Sequence, residues 1–159
     1  MSSLANCIFC KIVKGEIPCF KLLESDTALA FMDIGPIARG HCLVIPKCWC
    51  SCSRMLTSDH AAKLTDLPDD QMGDILPMAK KLAQASGAEN YNILQNNGRI
   101  AHQEVDHVHF HMIPKPEASD KSGLVVGWPG MSHAMTNANR QFKVLDDIAA
   151  AYEEVKKKL

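Results

Sequence analysis

The chain has no run of apolar residues long enough to span a bilayer, so no transmembrane segment is expected. It has no excess of charge either, since 17 Lys and Arg against 18 Asp and Glu leave a formal net charge of −1. Such a balance offers no broad footprint for nucleic acid or an anionic membrane, and any anionic ligand must be met by local groups. Met1-Ser2-Ser3-Leu4-Ala5-Asn6 lacks both a basic and an apolar leader region, which points to an intracellular protein. Seven cysteines are an odd number in a chain of this kind, which argues against a disulfide framework. Internal repeats are absent, and 159 residues are about one domain, so a single domain over 1–159 is expected.

What the chain does have is the run Gln103-Glu104-Val105-Asp106-His107-Val108-His109-Phe110-His111-Met112-Ile113-Pro114. Its histidines stand at i, i+2 and i+4 among residues suited to a strand, and Pro114 closes the run. Alternation along a strand sends His107, His109 and His111 to one face and Val108, Phe110 and Met112 to the other. The apolar face can enter a core while the imidazoles line a site. A lone histidine would more often be a satisfied structural residue, whereas clustered titratable groups mark functional sites.

Along the chain, Cys7-Ile8-Phe9-Cys10-Lys11-Ile12-Val13 reads as a short helix closed by Gly15 and Pro18. Its Cys-x-x-Cys is half a metal site, a redox pair or two small core residues. Strands are expected over 19–24 and 27–32, joined by a Ser25-Asp26 turn, and over 40–47, ended by Pro46. Asp33, at a strand end, can simply satisfy turn amides. Residues 48–59 have no clear period and read as a loop holding Cys48, Cys50 and Cys52. A long helix is expected from Asp66-Leu67-Pro68-Asp69 to Gly87, kinked at Pro77, with Met72, Ile75, Leu76, Ala79, Leu82 and Ala83 on one face. A fourth strand over 91–95 and the turn Asn96-Asn97-Gly98-Arg99 lead into the histidine run. Beyond Pro114 come polar loops and a short apolar segment, Leu124-Val125-Val126-Gly127-Trp128-Pro129. A last helix starts near Asn137 or Asn139, with Phe142, Leu145, Ile148, Ala149, Tyr152 and Val155 at helical spacing.

Two chemistries suit three convergent imidazoles. A neutral ring can attack phosphorus through one nitrogen while its other N–H fixes the tautomer, with neighbouring rings holding charge or moving protons. Alternatively, three histidines can hold a catalytic zinc with an open position for water.

The run His107-Val108-His109-Phe110-His111-Met112-Ile113 resembles the signature of the histidine triad (HIT) family. Cys7-Ile8-Phe9-Cys10-Lys11-Ile12, Ala30-Phe31-Met32-Asp33-Ile34, Gly40-His41-Cys42-Leu43-Val44-Ile45-Pro46-Lys47, Gln95-Asn96-Asn97-Gly98 and Gln103-Glu104-Val105-Asp106 agree with it in the same order. The resemblance covers roughly residues 7–116, leaving 117–159 as a C-terminal loop and helix extension. It is nearest the Hint-like branch, which hydrolyses nucleoside phosphoramidates, rather than the Fhit-like dinucleotide hydrolases. The uridylyltransferases typically carry glutamine where this chain has His111.

That resemblance implies an α+β, HIT-like fold: about five antiparallel strands, one long helix packed on them and a C-terminal helix. It implies an adenosine 5′-monophosphoramidase, a hydrolase of purine nucleoside 5′-phosphoramidates working through a nucleotidyl-histidine intermediate. The alternatives are a dinucleoside polyphosphate hydrolase, or a nucleotide-binding regulatory module with little catalysis. His109 would be the nucleophile and His111 a phosphate contact, with His41 behind the triad. Asn96 and Gln103 would be amide donors to phosphate or leaving group. Asp33 would accept both ribose hydroxyls, and Phe9, Ile17, Phe31 and Ile34 would wall the purine. Glu104 and His102 stand where Hint-like proteins often carry serine and glycine.

Many bacterial and fungal members hold a structural zinc, to which Cys7, Cys10 and His107 correspond. The family's Pro-Lys-x-His is interrupted here: Pro46-Lys47-Cys48 is followed by Trp49, and the matching His60-Ala61-Ala62-Lys63-Leu64 comes after what reads as an insertion over 49–59. His60 is the expected fourth ligand; a cysteine among Cys48, Cys50 and Cys52, or no zinc at all, are the other readings. No catalytic metal is implied, because no carboxylate cluster would hold one. A homodimer in the cytoplasm, and also in the nucleus, is the implied state, without nucleic-acid or membrane partners. Trp128 either reaches toward a partner's site or anchors the tail on its own core.

Overall fold

The computed structural model describes residues 6–47, 60–115 and 145–159. Five strands, β1 (Lys21–Glu24), β2 (Ala28–Met32), β3 (Cys42–Pro46), β4 (Asn90–Gln95) and β5 (Phe110–Lys115), form one sheet in the order β1-β2-β3-β5-β4. Every neighbouring pair is antiparallel. Together with the helices below this is the expected α+β architecture.

Both faces of the sheet are covered, which is why β2 and β3 are buried along their whole length. On one face Ala28, Ala30, Met32, Val44 and Met112 pack against two helices, α2 (Ile75–Ser86) and α3 (Leu145–Lys156). On the other, Leu29, Phe31, Leu43 and Ile45 meet Cys7, Phe9 and Cys10 at the small helix α1 (Ile8–Val13). The strand period of two makes this division, and each fully buried Leu or Ile contributes ~1.5–3 kcal/mol. Helix α1 stops in a Schellman arrangement, with Glu16 N–H on the Lys11 carbonyl and Gly15 N–H on that of Ile12. Gly15 takes the required left-handed backbone at φ +76°.

The helix expected from Asp66 begins instead at Ile75, after two 3-10 turns at Leu64–Asp66 and Asp69–Gln71. Asp74 precedes it without capping it, because the hydroxyls of Ser25 and Thr27 both donate to Asp74 Oδ2 at 2.6 Å. The later start moves Pro77 into the first turn, where a helix has no partner for its N–H, and the reason for a kink disappears. In α3, Ile148 and Val155 are buried as the spacing requires, Ala149 is half-buried with Ala151 buried in its place, and Leu145 is exposed. Phe142, the helix start near Asn137 or Asn139, the loop 48–59 and Trp128 lie outside the described residues. No helix among the described residues is long and apolar enough to cross a membrane.

Candidate active site

The alternation of the histidine run holds, although the ladder of β5 starts only at Phe110. Val108 and Met112 enter the core beneath α2 and α3. The rings of His107 and His109 meet the ring of Phe9 edge-on, at centroid distances of 5.7 and 5.3 Å. His111 pairs across the sheet with Leu43 and Leu94. All three are buried.

Hydrogen bonds to carbonyls, which can only accept, fix the ring tautomers. His109 Nδ1–H donates to the carbonyl of His107 at 2.6 Å, so Nε2 of His109 carries the lone pair. His41, fully buried on the loop before β3, takes the Ile37 N–H on Nδ1 at 3.3 Å. Its Nε2–H therefore donates to His111 Nδ1 at 2.9 Å, which leaves the His111 proton on Nε2. The rings of His109 and His111 stand edge to face, 5.0 Å apart. Burial pushes the proton affinity of His41 and His109 down. It takes His111, with the added repulsion of His41 and His109, to about 2. A set of neutral imidazoles with assigned lone pairs results.

Around this centre, Asp33 sits at the end of β2, with Oδ1 accepting the Gly35 N–H at 2.7 Å and Oδ2 3.6 Å from His41 Nδ1. The turn role and a position beside the histidines thus coexist. Phe9 and Phe31 pack edge to face at 5.8 Å. Ile17 is half-buried and Ile34 is 69% exposed. Asn96 is buried and donates one amide hydrogen to the His102 carbonyl at 3.3 Å. His102 adopts a left-handed backbone, φ +61°.

The side chain of Gln103 is engaged by the protein itself. Its Nε2 hydrogens go to the carbonyls of Ala62 (2.5 Å) and Val105 (3.0 Å), and its Oε1 accepts the Gly98 N–H at 2.6 Å. Its amide is spent on shaping the loop beside the histidines. The Ala62 contact, 41 residues away in the chain, is the part of this arrangement that residue type and spacing do not reveal.

His107 belongs to a second cluster. Its Nε2–H donates to the Pro46 carbonyl at 3.0 Å, and its Nδ1 lies 3.6 Å from the sulfurs of both Cys7 and Cys10. His60 Nε2–H donates to the Asp106 carbonyl, and its Nδ1 lies 3.3 Å from Cys10 Sγ. The four ligand atoms all fall within 4.8 Å of one another. Burial alone would raise the Cys7 thiol, but its hydrogen bonding with His107 and His60 outweighs this and brings it down to about 5. Two sulfurs and two imidazole nitrogens, each ring fixed by a backbone carbonyl behind it, make a donor set that fits tetrahedral zinc. The structure thus brings His60 to the expected place, whereas Cys48, Cys50 and Cys52 are outside the described residues. Asp33, His41 and His111 also lie close enough to hold an ion, but there two of the nitrogens already engage each other.

This fold and site define a protein built on an alternating histidine triad, with one ring given to a sulfur cluster and two set edge to face beside it. The HIT domain model matches residues 14–118. The adenosine 5′-monophosphoramidase hnt1 of Schizosaccharomyces pombe is 59% identical over 124 residues, 78% of this chain and 84% of that protein. Among solved structures, the histidine triad nucleotide-binding protein from Candida albicans aligns at 44% identity and a TM-score of 0.63, covering 96% of each chain. A zinc-bound histidine triad family protein from Mycobacterium smegmatis aligns at 25% identity and a TM-score of 0.69, covering 98% of this chain and 94% of the other. The chain belongs to the histidine triad family.

Proposed function

We propose that the protein hydrolyses the P–N bond of purine nucleoside 5′-phosphoramidates, with His109 as nucleophile. The observation that carries this reading is the bond from His109 Nδ1–H to the His107 carbonyl, which reserves Nε2 for attack. In the first step Nε2 bonds to phosphorus, the P–N bond breaks, and the departing amine takes a proton from solvent. In the second, water bonds to phosphorus as the P–Nε2 bond breaks, releasing the nucleoside monophosphate, returning one proton to solvent and restoring the neutral ring. While the nucleotidyl group is attached the His109 ring is cationic, and the His107 carbonyl facing Nδ1–H stabilises that charge. His111, its Nδ1 held by His41, offers its Nε2–H to a phosphoryl oxygen. Asp33 takes the ribose hydroxyls, Phe9, Phe31, Ile17 and the exposed Ile34 line the base, and Asn96 keeps one amide hydrogen for phosphate. The activity carried by the Schizosaccharomyces pombe relative supports this assignment.

Cys7, Cys10, His60 and His107 would hold a structural zinc, which when bound ties α1 to the histidine run. The Mycobacterium smegmatis structure supports that part of the reading. A homodimer is favoured by the exposed Tyr91 and Ile93 on the edge strand β4 and by the exposed Leu76 at the start of α2.

His109→Ala tests the proposal. Turnover of an adenosine phosphoramidate should vanish while AMP binding stays within a few-fold; retained turnover would remove His109 from its role.

A further inference from the structure

The short segment 60–64, outside any helix or strand until the turn at Leu64–Asp66, runs between the sulfur cluster and the loops beside the histidines. His60 faces Cys10, stacks on His107 at 4.9 Å and donates to the Asp106 carbonyl. The next carbonyl, that of Ala61, accepts the Val108 N–H at 2.9 Å, between His107 and His109. The Ala62 carbonyl accepts Gln103 Nε2–H at 2.5 Å, and Leu64 N–H donates to Asn97 Oδ1 at 2.8 Å. Three links therefore run from the segment to the peptide unit joining His107 and Val108, the Gln103 loop and the asparagine turn. The segment has little apolar area of its own to fix it, since Ala61, Ala62 and Leu64 are half-buried and Lys63 is exposed.

From this geometry we infer that His60 is a positioning residue for the reaction: anchored in the sulfur cluster, it sets segment 60–64, which aligns the His107 carbonyl with His109 and fixes the Gln103 loop. The inference rests on the reading of His109 as the nucleophile. A cluster that merely held α1 would act on Phe9 and the purine wall, and so on binding. A strut of the kind described acts on the orientation of the attacking nitrogen, and so on kcat.

The test compares the zinc-loaded wild type with His60→Ala and with His60→Cys, which restores a ligand. His60→Ala should lower kcat about a hundredfold, the scale of a small misplacement of reacting groups, with KM changed far less. Hydrogen exchange at the Val108 and Leu64 amides should accelerate in step, while amides of β2 and β3 keep their protection. Side-chain 15N spectra should show His109 as the Nδ1–H tautomer in the wild type and as a mixture in His60→Ala. His60→Cys should recover most of the kcat and both signatures. A rise in KM with kcat intact, or unchanged exchange at Val108 and Leu64 after loss of metal, would overturn the inference. Should His60→Ala not fold, the loaded wild type decides: Val108 and Leu64 must open together with one shared free energy, and independent opening overturns the strut. Lack of phosphoramidate turnover in the wild type would instead reject the proposed reaction, and the exchange and 15N measurements would still judge the strut.

Discussion

The carbonyl of His107 accepts the Nδ1–H of His109 at 2.6 Å, while the same residue's ring points Nδ1 at Cys7 and Cys10. One residue therefore serves two centres, its side chain the sulfur cluster and its backbone the nucleophile. The spacing i, i+2 makes this possible, because alternate residues of an extended chain share a face. Around that relationship the remaining groups can be tested one at a time.

Phe9 stands between the centres, touching Phe31, His107 and His109 edge-on. Phe9→Ala removes a buried ring and should cost about 3–5 kcal/mol of stability. It should also raise KM, since the ring lines the proposed base site. Urea unfolding and steady-state kinetics check both; an unchanged KM would take Phe9 out of the purine wall.

The buried imidazoles make stability depend on pH. His41, His109 and His111 all have proton affinities lowered in the folded state from an ordinary 6.5, by burial above all. Below that value the unfolded chain binds more protons than the folded one, so their contribution is present above 6.5 and lost as pH falls toward the folded values. Unfolding free energy should therefore decline between about pH 6.5 and 5, above the range where carboxylates titrate. His111→Asn, which has no proton to take up, should flatten the decline by nearly one proton's slope. A wild-type slope of the opposite sign would contradict the neutral-ring assignment.

Asp33 gives one oxygen to the Gly35 amide and keeps the other beside His41. If it also receives the ribose, Asp33→Asn should shrink the preference for a ribonucleoside substrate over its 2′-deoxy counterpart by about tenfold, or ~1.4 kcal/mol. Competition between the two substrates in one assay measures this. An unaltered ratio would confine Asp33 to the turn.

Much of this was legible in the residues. The sheet strands and the division of the histidine run into two faces follow from local period, while the grouping of Cys7, Cys10, His60 and His107 follows from the family resemblance. What the sequence hid was decided by contacts distant along the chain. Helix α2 starts at Ile75, after two 3-10 turns, and the aspartate before it is held by Ser25 and Thr27, a contact that a capping reading of Asp66 has no access to. Pro77 reads as an interior kink only in a helix begun at Asp66; in one begun at Ile75 it falls in the first turn. Gln103 carried the residue type of a ligand donor, but its amide is consumed by Ala62, Val105 and Gly98. His60 was recoverable by motif across the insertion, while its hold on segment 60–64 needed coordinates.

The central assignment is tested most directly by quenching the wild-type enzyme during turnover of an adenosine phosphoramidate and mapping the adduct by mass spectrometry. One adenylyl group should sit on His109, appear in a burst and disappear at the turnover rate. Turnover without that adduct, or the group found on His111 or another residue, would contradict the account.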